Sequence, residues 1–221
     1  MAQCHGRSTA DLTSFRADNL YLFQSRRYPN WAYYATAAYA VQIDRLGLLH
    51  KLQEYGRLAH RMAAAFPNVR KYFCVDAVPE STFICDYYLK QRNMTGQCEV
   101  VPLDELDRLK QVDIAINIHS FPECRSRVVD WWLHRLQEMS VPWLFLVSST
   151  RLGLTTAEAR GRKDFRHLIG ESGFELSARE SKFESAPVLQ DHGLYPDEYY
   201  LFRGVVSHAC RHSCLCHPQS S

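Results

Sequence analysis

Four short apolar runs, separated by stretches with helical periodicity, dominate the middle of the sequence. They are Tyr72–Val75, Cys98–Val101, Asp113–Ile118 and Trp143–Val147. Each run is apolar nearly throughout instead of alternating with polar residues, which is typical of strands buried on both faces. Strands that alternate with helices form parallel sheets covered on both sides. The pattern therefore predicts an α/β fold around a parallel sheet of the nucleotide-binding type.

The intervening stretches favour helices. Trp31–Phe66 has no proline, and its apolar residues recur at helical spacing, which predicts two helices broken between Leu49 and Tyr55. Pro79 suits the first turn of a helix that follows the first apolar run. The other predicted elements are helices at Glu123–Met139 and Ala157–Gly170, a short helical segment at Leu103–Leu109, and final strands at Phe174–Ala178 and Tyr199–Phe202, the last of them antiparallel.

Composition excludes several classes of protein. The 221 residues are 46% hydrophobic and 23% charged, which is ordinary for one folded domain, or for one domain with a small appendage. A net charge of +2 gives no electrostatic case for binding nucleic acid or an anionic membrane. Apolar runs such as Val141–Ser148 are too short to span a bilayer, and Met1–Phe15 lacks the apolar stretch of a signal peptide. We therefore expect a cytoplasmic protein without a membrane span.

The cysteines fall into two groups. Cys74 and Cys85 lie in apolar runs and are expected to be reduced, buried core residues. The tail carries three cysteines and three histidines whose spacing matches no structural zinc pattern: His208, Cys210, His212, Cys214, Cys216 and His217. We expect residues 204–221 to form a disordered terminal extension.

Two acidic residues follow predicted strands. Ligands of open α/β sheets bind beyond the carboxyl ends of the strands. Asp76 is placed there to accept hydrogen bonds from the hydroxyls of a ribose, and Asp104 to accept one from the amino group of an adenine. The alternative is that each carboxylate caps a helix or a turn.

His119 follows the third apolar run and is a candidate general base, because imidazole titrates near neutral pH. The alternative is a hydrogen-bonded histidine at a strand end. Glu123 either orients His119 or favours the N-terminus of the next helix. Gly56 permits a ligand to approach the backbone, but no Gly-x-Gly, P-loop or Gly-x-Ser-x-Gly pattern occurs anywhere in the chain.

Four stretches in combination resemble one family. They are Tyr55–His60, Val75–Leu89, Asp113–Cys124 and the residues between Lys182 and Arg203. The chain resembles the sugar O-methyltransferases, a branch of the class I S-adenosylmethionine-dependent methyltransferases, and especially their actinobacterial members. The resemblance implies a Rossmann-like domain over residues 55–203, an N-terminal helical cap over residues 1–54, S-adenosylmethionine as cofactor, and methyl transfer to the hydroxyl of a sugar or glycosylated small molecule.

The same resemblance assigns site residues. Asp76, with Ala77 beside it, corresponds to the acidic residue that binds the cofactor ribose, and Asp104 lies where the adenine contact is expected. The assignment to the cofactor also includes Tyr55, Gly56, Arg57 and Asn117, and the assignment to catalysis includes His119 and Glu123.

One departure from the family concerns the start of the sheet. Relatives carry a strand and a glycine-rich loop before the stretch that begins at Tyr55, whereas Asp44–Glu54 runs directly into it. We therefore expect an incomplete sheet without its first strand, and either low stability or a rearranged N-terminal half, with a helix in the vacant space. Three alternatives stay open: an inactive remnant or binding module, an NAD-type oxidoreductase despite the missing Gly-x-Gly-x-x-Gly, and a metal-dependent methyltransferase with Asp113, His119 or Glu123 near magnesium.

Overall fold

The structure, a computed structural model, describes residues Leu20–Ser25, 56–66, 69–110, 112–149, 151–182 and 197–205. The predicted N-terminal cap, apart from Leu20–Ser25, lies outside the described residues. The same is true of Tyr55 and of nearly all of the predicted tail. The domain boundaries therefore stay predictions.

Seven strands form the main sheet, in the order β3-β2-β1-β4-β5-β9-β8, and two more form a separate hairpin. The sheet strands are β1 (Leu20–Ser25), β2 (Val69–Asp76), β3 (Cys98–Pro102), β4 (Ile114–Ile118), β5 (Trp143–Ser149), β8 (Phe174–Ser181) and β9 (Asp197–Gly204), and the hairpin strands are β6 (Thr155–Glu158) and β7 (Gly161–Asp164).

Helices cover both faces of the sheet. They are α1 (Arg57–Ala65), α2 (Pro79–Gln91), α3 (Ser126–Glu138) and α4 (Arg166–Glu171), with 3-10 turns at Leu103–Arg108 and Phe121–Glu123. Successive residues of a strand point to opposite faces, so every central strand contributes to two cores. In β5, for example, Phe145 packs in the core under α1 and α2, and Leu144 packs in the core that holds α3 and α4. This double burial explains why the strands are apolar at nearly every position.

Strand β1 occupies the centre of the sheet. It pairs with β2 on one side and β4 on the other, antiparallel to both, with Leu22 opposite Phe73 and Ala115. Without a strand here the facing backbone groups of β2 and β4 would lack partners, and each buried unpaired group costs about 1–3 kcal/mol. The segment Leu20–Ser25 therefore fills the central position of the sheet, and residues 26–55, which include the place of the expected missing strand, lie outside the described residues. Our expectation of a helix in the vacant space is wrong.

Most other predictions from the sequence agree with the structure. The four apolar runs are strands β2 to β5, and β9 is antiparallel to β5 as predicted. The predicted helix at Ala157–Gly170 is wrong, because most of this range forms the β6–β7 hairpin and only its last residues enter α4. Gly161, at φ 90°, adopts the left-handed conformation that a tight turn needs and that a helix does not. Within the part of the chain described here, no helix has the length and apolarity needed to cross a membrane.

Candidate functional site

The carboxyl ends of four strands meet at one edge of the sheet. Because β1 is antiparallel to both β2 and β4, these two strands are parallel to each other, and each is parallel to its outer neighbour β3 or β5. Asp76 ends β2, the turn Leu103–Arg108 follows β3, and His119 follows β4. This is the edge at which open α/β sheets bind ligands.

A cavity of about 740 Å³ opens at this edge, between the ends of β2 and β3 and the start of α2. Its volume lies within the range of small-molecule sites, roughly 300–1,000 Å³. Three residues assigned to cofactor binding, Asp76, Ala77 and Asp104, line it together. The other lining residues are Pro79, Thr82, Phe83, Asp86, Val100, Pro102, Leu103 and Glu105.

Asp76 is the buried acid of the cavity, with 6% of its surface exposed. The backbone N–H of Val78 donates a hydrogen bond to Oδ1 at 2.8 Å, so this oxygen stabilises the turn into α2. The second oxygen, Oδ2, is buried and has no hydrogen-bond partner among the described residues. Burial raises the pKa of Asp76 from 3.8 to about 6, although the bond from Val78 and the nearby donors of Ser81 and Ala77 oppose the shift. Oδ1 therefore acts in the turn into α2, as the capping alternative predicts, and Oδ2 is left for the predicted hydrogen bonds with a ligand.

Asp104 also lines the cavity and is exposed. It stands inside the turn Leu103–Arg108, whose N-cap residue is Pro102, and no side chain caps that turn. The alternative that Asp104 caps a helix is therefore wrong. Its carboxylate belongs to the acidic residues of the first turn, beside the apolar side chain of Leu103.

Gly56 and Arg57 lie away from this cavity. Gly56 begins α1 in the left-handed conformation, at φ 79°. A Cβ at this position would meet Sγ of Cys85 at 2.8 Å and Cγ of Leu89 at 3.1 Å, so the glycine allows the start of α1 to pack against α2. Arg57 is exposed. A contact of either residue with a cofactor stays a prediction, as it does for Tyr55.

Asn117 and His119 belong to the turn that follows β4. Asn117 is buried, and its Oδ1 accepts a hydrogen bond from the backbone N–H of Phe121 at 3.0 Å. Neither Asn117 nor His119 lines the 740 Å³ cavity, and Glu123 is exposed at the end of the 3-10 turn. Asn117 therefore has a structural task, which is to hold the turn that carries His119.

Asp197 and Lys182, which lie near His119, were not predicted as site residues. Nε2 of His119 lies 3.6 Å from Oδ1 of Asp197, and Oδ2 of Asp197 accepts a hydrogen bond from Nζ of Lys182 at 3.0 Å. Burial favours a raised pKa for Asp197, but His119 and Lys182 outweigh it and hold the pKa below its usual value. Lys182 and Asp197 both fall in the stretch between Lys182 and Arg203 that carries part of the family resemblance, and that stretch was the available indication.

Comparison with known proteins identifies the fold. Neither protein-family models nor curated proteins match the sequence. Among solved structures, the [4+2]-cyclase SpnF superposes with a TM-score of 0.53 at 12% identity, over 85% of this chain and 88% of that one. Magnesium protoporphyrin IX methyltransferase (ChlM) from Synechocystis PCC 6803, crystallised with bound SAM, gives 0.50 at 11% identity, over 82% and 87%. The mitomycin 7-O-methyltransferase MmcR gives 0.50 at 16% identity, and the alignment spans 69% of this chain and 47% of MmcR.

The fold is that of the Rossmann-like methyltransferases. The seven strands of its sheet follow one another without a gap from the edge strand β3 to the edge strand β8. The central strand is β1, which is antiparallel to its neighbours. In dinucleotide-binding Rossmann folds, a glycine-rich turn follows the first strand at the ligand-binding edge. Here the residue of β1 at that edge is Leu20, the first of the strand, and β1 ends with Ser25 at the opposite edge of the sheet.

Metal binding receives no support from the candidate residues of this methyltransferase fold. Asp113 precedes β4 and His119 follows it, so the five-residue strand separates them by roughly 17 Å. They do not share one magnesium ion. Over the described ranges, no group of three or more His, Cys, Asp or Glu side chains is arranged to hold a metal.

Proposed function

We propose that the chain binds S-adenosylmethionine, with the adenosyl group in the cavity between β2 and β3, and transfers its methyl group to a hydroxyl of a sugar. The observation that carries this proposal is the position of Asp76. Its buried Oδ2 lacks a hydrogen-bond partner among the described residues, and the residue lines a cavity of suitable size. A ligand that supplies hydroxyl donors would satisfy that oxygen.

The lining suits an adenosine. An ionised carboxylate only accepts hydrogen bonds, so Asp76 complements the two hydroxyl donors of a ribose. Asp104, on the wall formed after β3, is placed to accept from an exocyclic amino group. Phe83 and Leu103 supply apolar surface for a flat ring.

Once bound, the sulfonium of the cofactor supplies an electrophilic methyl carbon. The task left to this chain is to position the acceptor hydroxyl and to take its proton, since a sugar hydroxyl is a poor nucleophile while protonated. His119, on the same edge of the sheet as Asp76, is the proposed proton acceptor. The choice of a sugar as acceptor rests on the family resemblance, and MmcR, named as an O-methyltransferase, provides a precedent for oxygen as acceptor on this fold.

A nucleoside-binding module without turnover is the second candidate. The absence of any Gly-x-Gly pattern and the antiparallel direction of β1 favour it, because the described residues offer no loop at the centre of the edge for the methionine part. An NAD-type oxidoreductase is less well supported, since its phosphate-binding turn requires the same missing glycines.

Calorimetry with S-adenosylhomocysteine tests the site. We expect binding by the wild type, a loss of at least tenfold in affinity in Asp76→Asn, and a smaller loss in Asp104→Asn. Asp107→Asn is the matched control, because Asp107 lies in the same turn as Asp104, is exposed and does not line the cavity. Absence of binding at millimolar ligand, or equal affinity in Asp76→Asn, would contradict the proposal.

Turnover separates the two candidates. Transfer of label from methyl-labelled S-adenosylmethionine to a panel of sugars and glycosides would support the methyltransferase. Tight binding of S-adenosylhomocysteine without transfer to any acceptor would support the binding module. Reduction of NAD in place of methyl transfer would support the oxidoreductase.

A further inference from the structure

His119 lies next to the buried pair Asp197 and Lys182 at the ligand edge of the sheet. The two oxygens of Asp197 face different partners, because Oδ1 lies 3.6 Å from Nε2 of His119 and Oδ2 lies 3.0 Å from Nζ of Lys182. The side chains of Asp197 and Lys182 are 10% and 8% exposed, and that of His119 is 20% exposed. His119, the proposed proton acceptor, is thus the most exposed of the three side chains.

Strand register explains why these residues meet. Asp197, the first residue of β9, lies opposite Ser149 at the end of β5, and Lys182 follows β8 directly. The backbone N–H of Lys182 donates to the carbonyl of Asp197 at 2.8 Å, which fixes the two residues relative to each other. A carboxylate and an ammonium group buried together add little to stability on balance, so this pair is weak evidence for a purely stabilising role.

The backbone of His119 is held as firmly as its side-chain neighbours. It has φ 62°, a left-handed conformation that is uncommon for a residue with a side chain. Its N–H donates to the carbonyl of Val147 on β5 at 2.9 Å, and Asn117 anchors the following turn through Phe121. Unusual backbone conformations held by several bonds are concentrated at functional sites.

We propose that Asp197, held by Lys182, is a positioning residue that keeps the proton of the neutral His119 ring on Nε2. This proposal rests on the proposed function for the role of His119 as proton acceptor, and on the structure alone for the state of the ring. At 3.6 Å, Nε2 and Oδ1 of Asp197 form an ion-pair contact rather than a hydrogen bond. An ionised carboxylate accepts and does not donate, so this contact favours a proton on the nitrogen that faces it. Since Lys182 donates to Oδ2 of Asp197, the oxygen that faces His119 is Oδ1.

The tautomer of His119 is measurable by NMR without any activity. In protein labelled with ¹⁵N in histidine, the two ring nitrogens of a neutral imidazole have distinct shifts, and the His119→Gln variant assigns the signal among the ten histidines. We expect the Nε2–H tautomer in the wild type at a pH where the ring is neutral. The Nδ1–H tautomer in the wild type would overturn the proposal.

The variant Asp197→Asn gives the sharpest result. Lys182 takes the amide oxygen, so the NH2 group faces Nε2 and the ring proton is expected to move to Nδ1. In the double variant Lys182→Met/Asp197→Asn, the amide oxygen is free to turn towards His119, and the Nε2–H tautomer is expected to return. The double variant also leaves no unpaired ammonium group at the position of Lys182, so it guards against misfolding of the single variant.

Glu198→Gln is the matched control. It removes a carboxylate from the neighbouring position of the same strand, where Glu198 pairs with Arg179, and the tautomer of His119 is expected to stay unchanged. If Asp197→Asn leaves the tautomer unchanged in folded protein, the proposal is wrong.

Kinetics separate this proposal from the proposed function. If methyl transfer occurs, Asp197→Asn is expected to lower kcat by about tenfold or more, with little change in the KM for S-adenosylmethionine. The predicted tautomers without any transferase activity would support the positioning role and contradict the catalytic one. Full activity in Asp197→Asn would contradict the positioning role alone.

Discussion

Asp76 and Asp104 line one cavity from two neighbouring parallel strands, because Asp76 pairs in register with Pro102 at the end of β3. The sheet therefore sets the separation of the two acids, and no loop rearrangement is needed to bring them together. Asp76 is buried and Asp104 is exposed.

Asp76→Asn is expected to change the pH dependence of stability. The pKa of Asp76 rises from 3.8 to about 6 on folding, so the folded state binds this proton more tightly than the unfolded state. The contribution of Asp76 to stability is then greatest below about pH 4 and falls as the pH rises to about 6, by up to about 3 kcal/mol. The Asn variant lacks this loss, and urea unfolding at pH 4 and pH 7.5 measures it. Equal pH dependence in the two proteins would contradict the prediction.

Ligand binding is expected to follow the opposite trend. If the ionised carboxylate of Asp76 accepts the ligand hydroxyls, the affinity for S-adenosylhomocysteine falls below about pH 6, approaching tenfold per unit of pH. Calorimetry between pH 4.5 and pH 8 measures this dependence. Asp107→Asn should keep the wild-type profile, and a flat wild-type profile would exclude Asp76 as the acceptor.

Gly56→Ala is expected to destabilise the protein by about 2 kcal/mol or more. The new Cβ would lie 2.8 Å from Sγ of Cys85, and the residue has φ 79°, which alanine adopts at a cost. Urea denaturation measures the change. Adding Cys85→Ala should restore the part due to the steric clash. Gly96→Ala is the control, since a Cβ there meets nothing within 4 Å, and a similar loss in that variant would show that the packing of Gly56 is not the cause.

Leu22→Pro tests the central position of β1. A proline in a strand paired on both sides removes a ladder hydrogen bond, and we expect a loss of about 3 kcal/mol or more, or failure to fold. Glu175→Pro on the edge strand β8 is expected to cost less, because only one side of that strand is paired. Hydrogen exchange provides a second measurement, in which the amides of residues 21–24 should be protected nearly as well as those of β4. Rapid exchange at residues 21–24 would contradict the pairing.

The buried thiols are expected to resist alkylation in the folded protein. Cys74, Cys85, Cys98 and Cys124 are buried, which confirms the predicted core role of the first two. Burial raises the pKa of Cys98 to about 12, and a hydrogen bond with Cys85 and burial raise that of Cys74. Because the thiolate is the reactive form, iodoacetamide at pH 8 should modify these residues only after denaturation, as peptide mass spectrometry would show. Fast modification of Cys98 in native protein would contradict its burial.

Strands β2 to β5 could be predicted from the sequence because each one contains a continuous apolar run. β4 is apolar at every position except Asn117 because it is covered on both faces, and that composition is visible in the sequence. The placement of Asp76 followed from the same reasoning, since a strand that is recognised also reveals the residue at its end. The helix predicted over Ala157–Gly170 failed because a single glycine at positive φ is enough to turn the chain.

Long-range pairing was beyond the reach of such patterns. Nothing within Leu20–Ser25 states that its partners are β2 and β4, which come much later in the chain. The same limit applies to the contact of His119 with Asp197, which depends on the register of β5 with β9. Both relationships are properties of the assembled sheet.

The position of β1 has a consequence for synthesis on the ribosome. β2 and β4 are each hydrogen-bonded to β1 and are not neighbours in the described sheet. Strand β1 is therefore the seam that joins the half that contains β2 and β3 to the half that contains β4, β5, β9 and β8. This seam is translated before either of its partners, and it stays open on one side until Ile118 has left the exit tunnel. During that interval the nascent chain displays an unpaired edge, at which it can pair with a neighbouring chain, and slower elongation lengthens this exposure.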